Sequence, residues 1–186
     1  MSRLKIESAR RQLGTALQLF LRDRDPVSVH CLANGGCELI EFYAKKAGGR
    51  PFTSHILQTW PGLDLPSLRR IQRKYWTAFK HATHLHGRQE RDDEEVLSGF
   101  TDEQNDTALL IGWYDYAQAT KQMPVEAQLH QAWYMALHPE KLDSKHASEP
   151  YQRWFPNLSA RSRSRQKRML NQAIDKARKD LSLIHI

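Results

Sequence analysis

With 186 residues and a formal net charge of +7, the chain has room for one domain, or one domain with an appendage, around an ordinary hydrophobic core. Its purely apolar runs fall far short of the roughly 20 residues a membrane helix requires, so no membrane span is expected. Cys31 and Cys37 share one apolar segment with nothing resembling a signal peptide before them; they read as reduced core thiols of a cytoplasmic protein. The charge is unevenly placed. Residues 1–140 hold seventeen basic and seventeen acidic residues, whereas residues 141–186 hold eleven basic and four acidic ones, the whole excess. Attraction to a polyanion by net charge therefore belongs to the C-terminal quarter.

In chain order, residues 4–21 carry Ile6, Ala9, Leu13, Ala16, Leu17 and Phe20 at spacings of three and four, which predicts an amphipathic helix. In "DRDP", Asp25 can cap and Pro26 can open a second helix, whose stripe of Val29, Ala33, Gly36, Cys37, Ile40 and Ala44 stops at Gly48 and Gly49. A connection this short makes the two helices antiparallel neighbours. Residues 50–66, rich in Pro and Gly and carrying Trp60, read as a loop. A third helix is predicted over 67–86, with Leu68, Ile71, Tyr75, Phe79 and Ala82 buried, followed by an acidic loop with a strand-like turn at Val96 and Leu97. "TDEQ" at Thr101 is a capping-box pattern ahead of a fourth helix through Ala108, Leu109, Ile111, Gly112, Tyr116 and Ala119. Pro124 starts a fifth, with Ala127, Leu129, Ala132, Trp133, Ala136 and Leu137, closed by "HPEKL". From Ser159 a basic helix follows, with Met169, Leu170, Ala173, Ile174 and Ala177 on one side. No alternating strand pattern is present. The expected fold is all-α: a single bundle of about five helices over 1–142, a linker over 143–158 with aromatic anchors Trp154 and Phe155, and a basic helical appendage over 159–186.

The chemistry-bearing residues concentrate on the third helix. His81, His84 and His86 could ligate a metal, but no carboxylate or thiolate stands at a matching spacing on that helix, so no metal is assigned. With about 100° per residue, Arg69, Arg73, Thr77, Lys80 and His84 form one stripe and Arg70, Lys74, Thr77 and His81 the next. Such a face can bind phosphate; a solvated face paired with the acidic loop at Glu90–Glu95 explains it as well. On the second helix, His30, Asn34, Glu38 and Glu41 form a polar seam that could face the third helix across a groove, where a His or Glu could serve as general base. The glycines of "NGG", Asn34–Gly36, suggest close packing against another helix. In the tail, "RSRSRQKR" with Arg161, Arg163 and Arg165 is a run that binds nucleic acid without sequence preference, or simply solubilises a helix start. Signatures of common enzyme classes and of cofactor loops are missing, so no cofactor is expected.

The segments "ARRQLGTALQLFLRDRDPVSVHCLANGGCELIEF", "FKHA" and "QAWYMALHPEKL" resemble a family of uncharacterised bacterial helical proteins over roughly residues 6–142. More distantly, the opening helical hairpin is similar to HEPN-type bundles, found among nucleotide-binding proteins and toxin-type ribonucleases. That resemblance implies an RNA or nucleotide partner and a homodimer through the hairpin. In ribonuclease members an Arg precedes a His by four to six residues; here seven residues separate Arg73 from His81, so the catalytic pair is out of register. "LSLIHI", residues 181–186, looks like a translated sequencing adaptor and is given no functional weight. Three readings follow. The first is a noncatalytic protein binding RNA or nucleotide phosphate through Arg69, Arg73, Lys80 and His81, helped by the tail arginines. The second is a metal-independent ribonuclease using His81 and Arg73, and the third an interaction module built on exposed Trp60, Trp113 or Trp133.

Overall fold

Asp25 caps the second helix through its carboxylate, which accepts the Ser28 N–H at 2.8 Å, and Pro26 occupies the first turn. This start signal works as its chemistry requires. In the computed structural model, which describes residues 2–84, 87, 89–142 and 149–184, the helices are α1 (Arg3–Leu21), α2 (Pro26–Lys46), α3 (Phe52–Thr59), α4 (Leu65–Lys80), α5 (Glu94–Ser98), α6 (Gln104–Thr120), α7 (Val125–Leu137), α8 (Glu149–Trp154) and α9 (Arg163–Ile184). Short 3₁₀ turns lie at Pro139–Lys141 and Leu158–Ala160. Among the described residues there is no strand, and no helix is long and apolar enough to cross a membrane.

Two compact units emerge. The first comprises residues 1–17 and 25–122, the second residues 18–24 and 123–186. The division falls at 122–123, so α7, grouped with the bundle in the sequence reading, packs with α8 and α9. The expected linker over 143–158 is partly structural: α8 lies in it, and Phe155 and Leu158 are buried. Residues 143–148 lie outside the described residues.

In the first unit α2 packs along α6 and against α4. Small residues let the helices approach. A Cβ on Gly36 would sit 2.8 Å from Leu13 Cγ, and one on Gly112 would meet both Leu13 and the Cys37 sulfur. Leu13 of α1 thus occupies space that two glycines leave open, which is the helix-to-helix packing expected of "NGG". Gly48 ends α2 at φ +72°, a conformation glycine adopts without Cβ strain. At the start of α6, Gln104 Oε1 accepts the Thr101 N–H at 2.8 Å, the reach-back half of the predicted capping box.

Three local expectations fail for identifiable reasons. The 50–66 segment contains α3, started behind Pro51. The strand-like turn at Val96 and Leu97 is instead α5, with Glu94 and Glu95 in its first turn, where negative charge favours a helix. The third helix ends at Lys80 rather than 86, because the chain trades helical hydrogen bonds for hairpin-like ones: Arg91 N–H to Ala82 O, His84 N–H to Gln89 O, and an isolated bridge from Thr83 to Glu90. The buried stripe of α4 is accordingly Leu68, Tyr75 and Trp76, while Ile71 stays 60 % exposed.

In the second unit Phe20 stands edge-on to His130 and Trp133, and Leu170 and Ile174 of α9 are buried as the tail's periodicity predicts. Both ring nitrogens of His130 lack partners, and burial holds its pKa down at about 3, so the ring is a neutral core group.

Candidate functional site

The sequence's cationic stripe lies on α4, and two of its arginines are already engaged. Arg69 Nη2 is 3.3 Å from Glu41 Oε1, and Arg73 reaches Glu38 at 3.5 Å and Glu41 at 3.9 Å. Glu41 also binds Lys45 and the Thr53 hydroxyl, each at 3.1 Å. Burial pushes the Glu41 carboxyl up, but Lys45, Arg69 and Thr53 outweigh it and hold its pKa below the usual carboxylate value. Lys80 lies over the Trp76 ring at 4.4 Å, and His81 caps the exposed end of the helix. His86 lies outside the described residues.

Arg70 and Lys74 are exposed and close no salt bridge among the described residues; Lys74 lies over the Tyr75 ring at 4.4 Å. With Arg69, Arg73, Thr77 and Val96 they line a shallow concavity of about 440 Å³, completed by Arg91 and Asp93. Arg91 binds Asp93 as a two-pronged pair at 2.6 and 2.7 Å. Five cations therefore face one carboxylate here. Helix periodicity places Arg70 and Lys74 on this face without singling them out, and composition assigns Arg91 to a solvated acidic loop. The hairpin-like bonds that return the chain beside α4 depend on tertiary context.

On the other side of Arg73 and Lys74 lies a deeper cavity of about 370 Å³ between α2, α4 and α6, within the size range of small-molecule sites. The whole polar seam of α2, His30, Asn34, Glu38 and Glu41, lines it, so the predicted groove exists. The opposite walls carry Ile71, Gln72 and Tyr75 of α4 and Thr107, Ile111 and Asp115 of α6.

His30 is 3 % exposed and ringed edge-on by Phe100, Tyr75 and Phe79. Asn105 Nδ2 donates to the Pro26 carbonyl at 3.1 Å, which orients the amide so that its Oδ1 faces His30 Nδ1 at 3.0 Å. An amide oxygen only accepts, so Nδ1 carries the proton. Burial lowers the His30 pKa against the opposing pull of Asn105, leaving a neutral ring whose Nε2 lone pair has no partner. Gln72 Nε2, a donor, is likewise buried without a partner. Asp115 accepts the Phe52 N–H at 2.7 Å; burial, with Glu41 nearby, pushes its pKa up to about 7. Burial, with Asp115 and Glu41, also raises the Cys37 thiol, which donates to the Ala108 carbonyl at 3.3 Å.

Arg73 lines both concavities and His81 neither. Seven residues lie between the two, which the rise of α4 sets roughly 12 Å apart along its axis. The structure thus does not bring them together within the chain. In the tail, the Arg163 guanidinium lies over Phe20 and Trp133 at 5.2 and 5.4 Å, and Lys167 is buried against Phe20 and paired with Asp23 at 2.8 Å. Part of the tail's basic run therefore anchors α9, while Arg161 and Arg165 are exposed. Trp113 and Trp133 are buried; Trp60 is 59 % exposed. Those three rings do not form one exposed patch.

Among the described residues no cluster of three or more His, Cys, Asp or Glu side chains is placed to hold a metal ion. In comparisons with known proteins, the chain matches no family model, no curated sequence and no solved structure.

Proposed function

We propose that this protein, on a HEPN-like helical framework, binds RNA or a nucleotide through its phosphate at the basic concavity beside α4. The observation that carries this reading is the lining of five cations, Arg69, Arg70, Arg73, Lys74 and Arg91, against the single carboxylate of Asp93, with the Thr77 hydroxyl among them. Glu38 and Glu41 offset Arg73 and Arg69, and Asp93 offsets Arg91. The charge left to meet a phosphate is that of Arg70 and Lys74. Paired arginines still help, since a guanidinium has five N–H donors and one carboxylate does not use them all. Arg161 and Arg165, exposed on the second unit, are a separate and weaker basic surface.

Fluorescence anisotropy of labelled single-stranded RNA against the full chain tests it. Affinity is expected to fall with salt, and the double variant Arg70→Ala/Lys74→Ala to reduce the slope of log K against log salt by about 1.4, two contacts at about 0.7 each. Binding that ignores salt, or an unchanged slope in the double variant, refutes the reading.

A further inference from the structure

The deeper cavity differs in chemistry from the basic concavity beside it. Its charged lining comprises Glu38, Glu41, Glu103 and Asp115 against Arg73 and Lys74, and Arg73 is already bound to two of those acids. A phosphate entering here would meet a majority of carboxylates. What the cavity lacks is different: His30 Nε2 is an acceptor without a donor, and Gln72 Nε2 a donor without an acceptor. Both are screened from solvent, so their deficits persist unless a polar group enters. Tyr75, Ile71, Ala108 and Ile111 supply apolar walls around them.

A flat heterocycle bearing both N–H donors and lone pairs meets these demands. Arg73 and Lys74 line both concavities, so a single ligand could place its heterocycle on one side and its phosphate on the other. We infer that the cavity between α2, α4 and α6 takes the base of a nucleotide whose phosphate lies on the basic concavity, with His30 Nε2 accepting from the base and Gln72 donating to it. This rests on the phosphate reading above. The acceptor-rich wall of His30 and three pocket carboxylates, Glu38, Glu103 and Asp115, sets a preference: bases with an exocyclic amino group bind better than carbonyl-rich uracil.

Calorimetric titration of the full chain with guanosine, adenosine, cytidine and uridine 5′-monophosphates, with ribose 5-phosphate, and with guanosine alone decides it. The amino-bearing nucleotides are expected to bind about tenfold more tightly than uridine 5′-monophosphate or ribose 5-phosphate, the worth of one good hydrogen bond. Gln72→Met keeps the side-chain bulk and removes an unpaired buried donor, so it is expected to fold at least as stably as the parent while weakening the nucleotides several-fold against ribose 5-phosphate. His30→Ala removes the acceptor, so it is expected to lose most of the preference for amino-bearing bases, its fold checked by circular dichroism. Ribose 5-phosphate binding as tightly as the nucleotides, Gln72→Met leaving nucleotide affinity unchanged, or a folded His30→Ala keeping the full preference for amino-bearing bases overturns the inference, and the phosphate reading survives if Arg70→Ala/Lys74→Ala still weakens both ligands. Guanosine 5′-monophosphate that binds no more tightly than guanosine, depends on Gln72 and is indifferent to Arg70 and Lys74 supports the base pocket and overturns the phosphate reading instead.

Discussion

Asp115→Asn probes the cavity's charge directly. The side chain is 1 % exposed on α6, and burial with Glu41 nearby moves its pKa from 3.8 to about 7, opposed by the Phe52 N–H and Lys45. A carboxyl with a raised folded pKa binds more protons in the native than in the unfolded state, so stability is lost as pH climbs from about 4 to about 7. With a native pKa of about 7 against 3.8, Asp115 removes about 2–3 kcal/mol of stability between about pH 5 and about pH 8. Asparagine cannot ionise, yet it keeps an oxygen for the Phe52 N–H. His30 and Glu41, both held below their ordinary pKa values, remain in both proteins and largely cancel in the difference. Urea unfolding followed by tryptophan fluorescence should therefore show the variant gaining about 2–3 kcal/mol on the parent from about pH 5 to about pH 8, at unchanged m value. Parallel pH profiles for the two proteins would refute the assignment of a buried, strained carboxylate.

Gly112→Ala drives a Cβ into Leu13 and to 3.0 Å from the Cys37 sulfur. Overpacking of about 1–3 kcal/mol should exceed the roughly 1 kcal/mol of helix propensity gained, lowering the thermal midpoint; a rise would mean α1 yields easily. Lys167→Ala strips a 1 % exposed ammonium from Asp23 and the Phe20 face. Because Asp23 is half exposed and can rehydrate, a loss of about 2 kcal/mol is expected in urea melts, smaller in Lys167→Met, which keeps the stem packing. Cys37, half-buried with its thiol pushed up by burial, should react with an aromatic disulfide at about pH 8 well below the rate of a free thiol, whereas reaction at the free-thiol rate would contradict the packing of α2 on α6.

Local chemistry made much of this protein legible from its residues. The capped start of α2, its glycine stop, the reach-back of Gln104, and the apolar stripes of α1, α6, α7 and α9 are contacts within a few residues, and period and cap signals report them directly. The polar seam of α2 was also readable, because His30, Asn34, Glu38 and Glu41 share a helix face whatever that face meets. What the seam meets was not. That Arg69 and Arg73 would be tied down by Glu41 and Glu38, that Arg91 would return beside α4, that Asn105 would fix the His30 tautomer from 75 residues away, and that Asp115 would sit nearly dry were decided by long-range packing. Helix periodicity says which side chains share a face; charge pairing and desolvation depend on what the rest of the chain presses against that face. The same division explains the tail, where composition marked a basic run but only the Phe20 and Trp133 surface turned Arg163 and Lys167 into anchors.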